Sequence, residues 1–421
     1  MKQYAIVGFG CAGYHAAKRL RQLCPEDKIH IYERTERGGA NPMLTTYYAG
    51  GKIGFEQMFP FGDMGHICRE FRLELHSQPV VRVEAADRKV VTASGESCQY
   101  HKILIATGAS ALRPAFLRVE GRGVFLMRTV QDAEMLRAYV QANRVDTAAV
   151  IGASMVGIKV AELLQSRGIK TTLLDAADRI FPLAAYPETA QEIAQALETQ
   201  GLRLRMGVRI SGVNTEGVLL ADGGVLPADL VCLCIGTQAN VEIVSNTQVV
   251  EGQGVKLRRG IVVNTRMETS AAGIYAAGDC CEGRNLQTGE NMIIGLWANA
   301  AAQGQCAGSN MAGQPEEYYG SFPHNITRFF GMTFVGLGDP SLPGTYRTFC
   351  GDDVKAGVVL SDRKIVSMNL LGRCMISGVL KSILVKQLGR ETRALSTTQQ
   401  GLMEQAGLPR EFIALVGGME P

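Results

Sequence analysis

The residues best placed to do chemistry are two sets of glycines, each followed by an acid. Gly8, Gly10 and Gly13 form a GxGxxG run with Cys11 and Ala12 inside it, and Glu33 follows about twenty residues later. Gly152, Ser154 and Gly157 form a second run with Val156 inside it, and Asp175 stands at the corresponding place. The spacing has a physical cause. Glycine lets backbone approach a pyrophosphate, the N–H groups of a helix N-terminus favour the anion, and the acid accepts from a ribose hydroxyl. Two dinucleotide sites are implied. Ala176 and Ala177 follow Asp175 with no cation directly beside it, so a 2′-phosphate meets repulsion and NADH is expected over NADPH, although Arg179 is near.

Each run needs a strand before it and a helix behind it. Tyr4–Val7 is apolar, Ala16, Ala17, Leu20 and Leu23 recur at helical spacing, and a second strand, Ile29–Tyr32, ends at Glu33. The second run repeats this with Ala148–Ile151, then Val160, Ala161, Leu163 and Leu164, then Thr171–Leu174 ending at Asp175. Further apolar strands end in turns. Ile103–Ile105 runs into Ala106, Thr107 and Gly108, Leu230–Ile235 into Gly236, and Gly273–Ala277 into Gly278 and Asp279.

The chain has 421 residues, which at roughly 100 to 200 per domain predicts two to four domains. Hydrophobic residues at 46% and charged residues at 20% are ordinary for a globular protein. The 49 glycines exceed the roughly 29 of average usage, so backbone must turn or approach a ligand in several places. A net charge of +3 is too even for a nucleic-acid footprint. The N-terminus lacks the pattern of a secretory signal and no stretch approaches about 18 apolar residues, so no membrane span is expected. The 11 cysteines are odd in number and irregular in spacing, which excludes a full disulfide framework and suggests a reducing, cytoplasmic setting. No CxxC, HxxxH or HExxH occurs, so neither a metal site nor an iron-sulfur cluster of its own is expected.

The order GxGxxG with Glu33, ATG at Ala106-Thr107-Gly108, GxSxxG with Asp175, and AAGD at Ala276–Asp279 resembles the two-dinucleotide flavoprotein disulfide reductase superfamily over residues 1 to about 310. That superfamily includes glutathione reductase, NADH oxidases, ferredoxin and rubredoxin reductases and the nitrite reductase large subunit. The resemblance implies an α/β fold of two Rossmann-like, glutathione reductase-like domains with a C-terminal α+β interface domain. The first run would hold FAD, with Glu33 and Arg34 at its AMP half, Pro42 nearby and Asp279 at the ribityl chain; the second would hold NADH. The implied domains are FAD-binding over 1–111 and 246–320, NAD-binding over 112–245, and interface over 321–421. Joints agree: Arg113-Pro114, the Gly-rich 251–254 before a return strand at Gly260–Asn264, and Ser321-Phe322-Pro323. The last segment shows strand patterns at Thr333–Leu337, Ala356–Leu360 and Ile365–Leu370 and helical ones at 379–387 and 397–406. The family implies a homodimer through it. Its basic positions, Arg328, Lys355, Arg363, Lys364, Arg373, Lys381, Lys386, Arg390 and Arg393, read as solvated surface before a docking patch.

What the sequence lacks narrows the chemistry further. Disulfide reductases carry CxxxxC after the first acid, and thiol-based oxidases and peroxidases keep one cysteine there. Residues 37–50 contain none. Their Pro-Met-Leu and Tyr-Tyr-Ala-Gly pieces resemble the ferredoxin and rubredoxin reductase and nitrite reductase branch, which commonly has a base at the Asn41 position. Lys159 stands where many members have Glu near the nicotinamide, and is expected to supply the missing cation as an alternative to an ordinary solvated lysine. Trp297 opens a small-residue helix whose N-terminus, by the resemblance, faces the flavin and favours negative charge on it. Cys280 and Cys281 are the best thiol candidates, with packing the more usual role. Cys11 lies at a helix N-terminus that would lower its pKa. Cys232 and Cys234 alternate on one strand face, His15 lies on the first helix, and His324 lacks the local pattern of a catalytic histidine.

The expected activity is an FAD-dependent NADH:acceptor oxidoreductase that passes electrons to an electron-transfer protein or iron-sulfur partner subunit without a cysteine relay. Two alternatives stand beside it. One is an NADH oxidase or reductase of a small organic acceptor; the other is a flavin-bearing subunit of a larger complex or an NADH-sensing interaction protein.

Overall fold

The structure, a computed structural model, describes the chain except residues 36, 115–117, 120–122, 246–253, 374, 390–393 and 419–421. Cys374, Arg390, Arg393, the joint at 246 and most of the Gly-rich 251–254 therefore lie outside the described residues. Two compact units form: Met1–Ala111 with Arg128–Gln131 and Thr237–Ser321, and Leu112–Met127 with Asp132–Gly236 and Phe322–Pro421.

In chain order the positioning elements begin with β1 (Gln3–Val7), α1 (Cys11–Leu23), β2 (Lys28–Tyr32), β3 (Leu73–His76) and β4 (Lys102–Ile105). Next come β5 (Val124–Leu126), β6 (Thr147–Ile151), α2 (Met155–Gln165), β7 (Lys170–Leu174), β8 (Arg203–Arg205) and β9 (Leu230–Leu233). β10 (Ile274–Ala276) and α3 (Trp297–Ala312) follow. The C-terminal part holds β11 (His324–Phe329), β12 (Met332–Leu337), β13 (Thr345–Cys350), β14 (Val354–Ser361) and β15 (Lys364–Gly372), then α4 (Ser377–Leu388), α5 (Thr397–Gln405) and α6 (Arg410–Val416).

The first unit is built on a parallel sheet of order β10-β4-β1-β2-β3. Tyr4, Ala5, Ile6 and Val7 are all buried, as a central strand covered on both faces requires. Val80–Glu84, Lys89–Thr92 and Ser97–Gln99 add an antiparallel meander. The second unit repeats the design: a parallel sheet β5-β9-β6-β7-β8, and a meander of Ile210–Asn214, Gly217–Leu220 and Val225–Pro227. This is an α/β fold with two Rossmann-like halves. An antiparallel sheet β11-β12-β15-β14-β13 and three helices complete the second unit. Three of these strands match the expected segments; β11, β13 and α6 do not appear in the sequence reading. Among the described residues no helix is long and apolar enough to cross a membrane.

The small residues of α3 have a packing reason. A Cβ on Gly304 would lie 2.2 Å from the Ala12 carbonyl oxygen, and one on Gly308 would lie 2.8 Å from that of Ala16, so α1 and α3 meet backbone to backbone. Gly304→Ala is expected to cost about 1–3 kcal/mol by overpacking this contact. Thermal unfolding followed by circular dichroism checks it, and an unchanged midpoint would show that the helices can separate freely.

Candidate functional site

In the first turn, Gly8 has φ +93°, and a Cβ there would strike the Ala106 oxygen at 2.5 Å. A Cβ on Gly13 would strike the Gly8 oxygen at 2.2 Å. Gly10 differs: among the described residues beyond its chain neighbours, nothing lies within 4 Å of where its Cβ would be. The outer two glycines let the chain pack on itself, and the middle one faces open space. Gly10 caps α1 without a side-chain hydrogen bond, and the first bond of the helix runs from Tyr14 N to Gly10 O (3.0 Å). The N–H groups of Cys11, Ala12 and Gly13 are therefore the helix's own unsatisfied donors, a cradle for a phosphate. Glu33 braces the turn, accepting from Phe9 N at 2.9 Å through one oxygen and from Thr35 N at 3.0 Å through the other. Arg34 is exposed beside it.

The second turn is the same device with one change. Gly152 has φ +110°, and its Cβ would lie 2.3 Å from the Cys234 oxygen; that of Gly157 would lie 1.8 Å from the Gly152 oxygen. Ser154 occupies the middle place by turning its hydroxyl inward, donating to Cys234 O (3.0 Å) and accepting from Gly157 N (3.2 Å). Val156 is half-buried in the first turn of α2. Asp175 accepts from Ala153 N (2.6 Å) and Ala177 N (2.8 Å), matching Glu33 in the first half. Gly236, with φ +110°, has no atom of the described residues beyond its chain neighbours within 4 Å of its Cβ position and so leaves the rim of this turn open.

Around the first turn, Asn240 locks the ATG strand end. It donates to Thr107 O (2.9 Å), its own carbonyl accepts from Thr107 Oγ1 (2.6 Å), and its amide N–H reaches Gly108 O (3.0 Å). Gly278 N donates to the buried Gln303 Oε1 (2.8 Å), fixing the turn that presents Asp279. Asp279 pairs with Arg128 (2.7 Å), whose Nε donates to Ala109 O (3.1 Å). Sequence reasoning missed Asn240, Gln303 and Arg128, because each acts on a residue far away in the chain.

Trp297 is the first residue of α3, which has no acid in its first turn. Its carbonyl accepts from Cys11 Sγ (3.2 Å), and its ring stacks on Phe61, which stacks in turn on Tyr14. Asn41 caps the short turn Pro42–Leu44, its side chain accepting from Met43 N (3.0 Å). Lys159 is neither solvated nor an unmatched charge. Its side chain is 11% exposed, and its ammonium donates to Glu162 (2.7 Å) and to the carbonyl of Arg328 (2.6 Å).

The five cysteines nearest the two turns are buried and not poised for chemistry. Burial, reinforced by Asp279, pushes the Cys11 thiol up to about 12, so the expectation of a lowered pKa is corrected: desolvation outweighs the helix end. Cys280 and Cys281 are fully buried, donate to backbone carbonyls, and are raised by burial as well. Cys232 and Cys234 share the buried interior of the second unit, and burial raises both. His324 is buried against Phe322 O, and burial lowers it to about 4; His15 packs edge-on against Phe61. Among the described residues no group of three or more His, Cys, Asp or Glu gathers as for a metal.

The residues fit the two dinucleotides: an open cradle at Gly10, helix ends without acids, and a braced acid at each second strand tip. Residues 2–304 match the family described as "Pyridine nucleotide-disulphide oxidoreductase". The chain is 29% identical over 363 residues, 85% of it and 79% of the relative, to the "NAD(P)H sulfur oxidoreductase (CoA-dependent)" of Pyrococcus abyssi (strain GE5 / Orsay). It is 27% identical over 362 residues, 84% of it and 83% of the relative, to the "NADH-dependent phenylglyoxylate dehydrogenase subunit epsilon" of Aromatoleum evansii. Its fold is similar to that in the covalent putidaredoxin reductase-putidaredoxin complex, with a TM-score of 0.82, 22% identity, and 96% of this chain and 99% of that one covered. The chain belongs to the pyridine nucleotide-disulphide oxidoreductase family and is an FAD-dependent NAD(P)H oxidoreductase.

Proposed function

We propose that this chain takes hydride from NADH and passes the electrons directly from flavin to an electron-transfer protein or iron-sulfur partner subunit. The observation that carries this reading is the absence of any cysteine from residues 37–67, together with Cys11, Cys280 and Cys281 being buried neutral thiols. A thiol relay needs an accessible thiolate. FAD, when bound, accepts hydride and can release electrons one at a time. The chain's own residues bind and orient. The N–H groups behind Gly10 would hold the flavin nucleotide's pyrophosphate and Glu33 its ribose, with Ala106 and Gly108 behind them. Asp279, held by Arg128, would meet the ribityl chain. The N-terminus of α3 at Trp297 would favour negative charge on the reduced ring, and Pro42 and Asn41 would lie on the flavin side.

Gly152, Ser154, Val156, Gly157 and Asp175 would hold NADH, with Lys159 steadying the helix behind them. Arg179 is engaged by Asp178 (3.1 Å) and Pro182 O (3.5 Å), which supports NADH over NADPH. In this reading residues 1–111 and 246–320 serve FAD, 112–245 serve NADH apart from Arg128 and Asn240, which brace the flavin side, and 321–421 make the interface of a homodimer or larger complex. The similarity to a dehydrogenase subunit and to a reductase solved with its redox protein supports such a partner.

Anaerobic stopped-flow tests the reading. NADH should bleach the flavin, and added ferredoxin should reoxidise it with rates unchanged within about twofold after exhaustive alkylation of accessible thiols. A tenfold loss on alkylation would overturn it, as would reoxidation that is fast with air or a small organic acceptor and slow with ferredoxin.

A further inference from the structure

The C-terminal sheet packs against the pyridine-nucleotide half of its own unit, and two of its polar contacts bear on the phosphate turn. Lys159 and Glu162, on α2, grip the turn after β11: Lys159 donates to Arg328 O, and Glu162 accepts from Phe330 N at 3.0 Å. The second contact is that of Asn369 on β15, which is 2% exposed. Its amide oxygen accepts from Tyr186 N (2.8 Å) and its amide nitrogen donates to Ala184 O (3.0 Å), so both ends of the side chain are spent on the backbone that follows Asp175. A buried amide is costly unless fully bonded, and here its bonds define one backbone path.

That path leads to the phosphate turn. Phe181, with φ +50°, begins the tight turn held by Ala184 N and Ala185 N, and its own N–H donates to Ala153 O at 3.0 Å. Its ring is buried against Phe329 and Phe334 of β11 and β12. Ala153 is thus fixed on both sides, by Asp175 at its N–H and by Phe181 at its carbonyl. A left-handed φ on a phenylalanine persists only where surroundings over-determine it.

We infer that Asn369 is a positioning residue for NADH: it holds the 181–186 segment in the path that fixes the Gly152-Ala153-Ser154 turn. The inference rests on the reading that NADH binds at that turn. Its effect falls on nucleotide affinity and leaves flavin binding alone, because no link in the chain of contacts involves the first unit.

The test measures how the rate of flavin bleaching depends on NADH concentration in the FAD-loaded protein. Asn369→Leu, or Asn369→Ser should the leucine variant fail to fold, is expected to raise the half-saturating NADH about tenfold with the limiting rate and FAD content within twofold. Ser367→Ala is the control. Ser367 is equally buried on the same strand, and among the described residues its hydroxyl bonds the Tyr186 hydroxyl alone (2.6 Å), so its loss should lower stability and leave half-saturation within twofold. Half-saturation that is unmoved in the Asn369 variants, or equally moved by Ser367→Ala, overturns the inference. Asp175→Ala separates this from failure of the NADH-site reading, for if that variant too leaves half-saturation unchanged, NADH binds elsewhere.

Discussion

Gly10→Val is expected to give a folded protein that purifies without its yellow colour. The three glycines of the first turn are not equivalent. A Cβ on Gly8 would meet Ala106 O at 2.5 Å and one on Gly13 would meet Gly8 O at 2.2 Å, so side chains there would force the strands and helix apart. Gly10 has an ordinary extended backbone, φ −74° and ψ −160°, and among the described residues beyond its chain neighbours no atom lies within 4 Å of its Cβ position. A valine therefore costs the fold little. What it fills is the space in front of the α1 N-terminus, where a pyrophosphate would have to lie to reach those N–H groups. FAD affinity should fall at least about a hundredfold, or roughly 2.7 kcal/mol. Far-ultraviolet circular dichroism should match the parent, and flavin absorbance should be lost. A yellow Gly10→Val protein with one FAD per chain would refute the placement, whereas a misfolded one would show that Gly10 serves packing like its neighbours.

That contrast also marks what could be read in the sequence. The two turns, their acids and the strands that end in Ala106-Thr107-Gly108 and Gly278-Asp279 were legible because glycine constraints and helix ends leave a local trace. Long-range locks leave none. Arg128 meets Asp279, Asn240 locks Thr107, and Asn369 grips the backbone near Tyr186, yet no spacing rule joins these positions. Strand β13 was missed because it is an edge strand with exposed residues at four of six places, and β11 because His, Asn, Thr and Arg dilute its alternation. Cys11 shows competing effects: its place at a helix end was legible, while the burial that dominates its pKa came from packing against α3. Lys159 carried a signal that was passed over. Glu162 lies one turn further on the same helix, the spacing of an intrahelical ion pair, and it engages the charge the sequence reading assigned to the reduced flavin or the nicotinamide.

Replacing Asp175 by Ala is expected to lower the efficiency of NADH about a hundredfold, and combining it with Ala176→Arg to reverse the preference toward NADPH. In the proposed reading Asp175 has two separable duties. One is to accept from a ribose 2′-hydroxyl, the contact a 2′-phosphate would turn into repulsion between anions. The other is visible without ligand: the carboxylate holds Ala153 N and Ala177 N, so its loss also frees the phosphate turn. Hydrogen bonds to a charged group are worth about 1.5–3 kcal/mol each, enough for either duty alone to account for tenfold or more. Kinetics of the parent with 2′-deoxy NADH tell them apart. That analogue removes the ribose contact and keeps the brace, so the excess penalty of Asp175→Ala over the analogue's penalty measures the brace. Arg at 176 would restore a partner for a 2′-phosphate, which Arg179 cannot readily supply while Asp178 and Pro182 O engage it. A parent that uses NADPH as efficiently as NADH would sink this account. An equal penalty for the analogue and the alanine variant would leave the ribose contact and remove the brace, showing that the turn holds its shape without the acid.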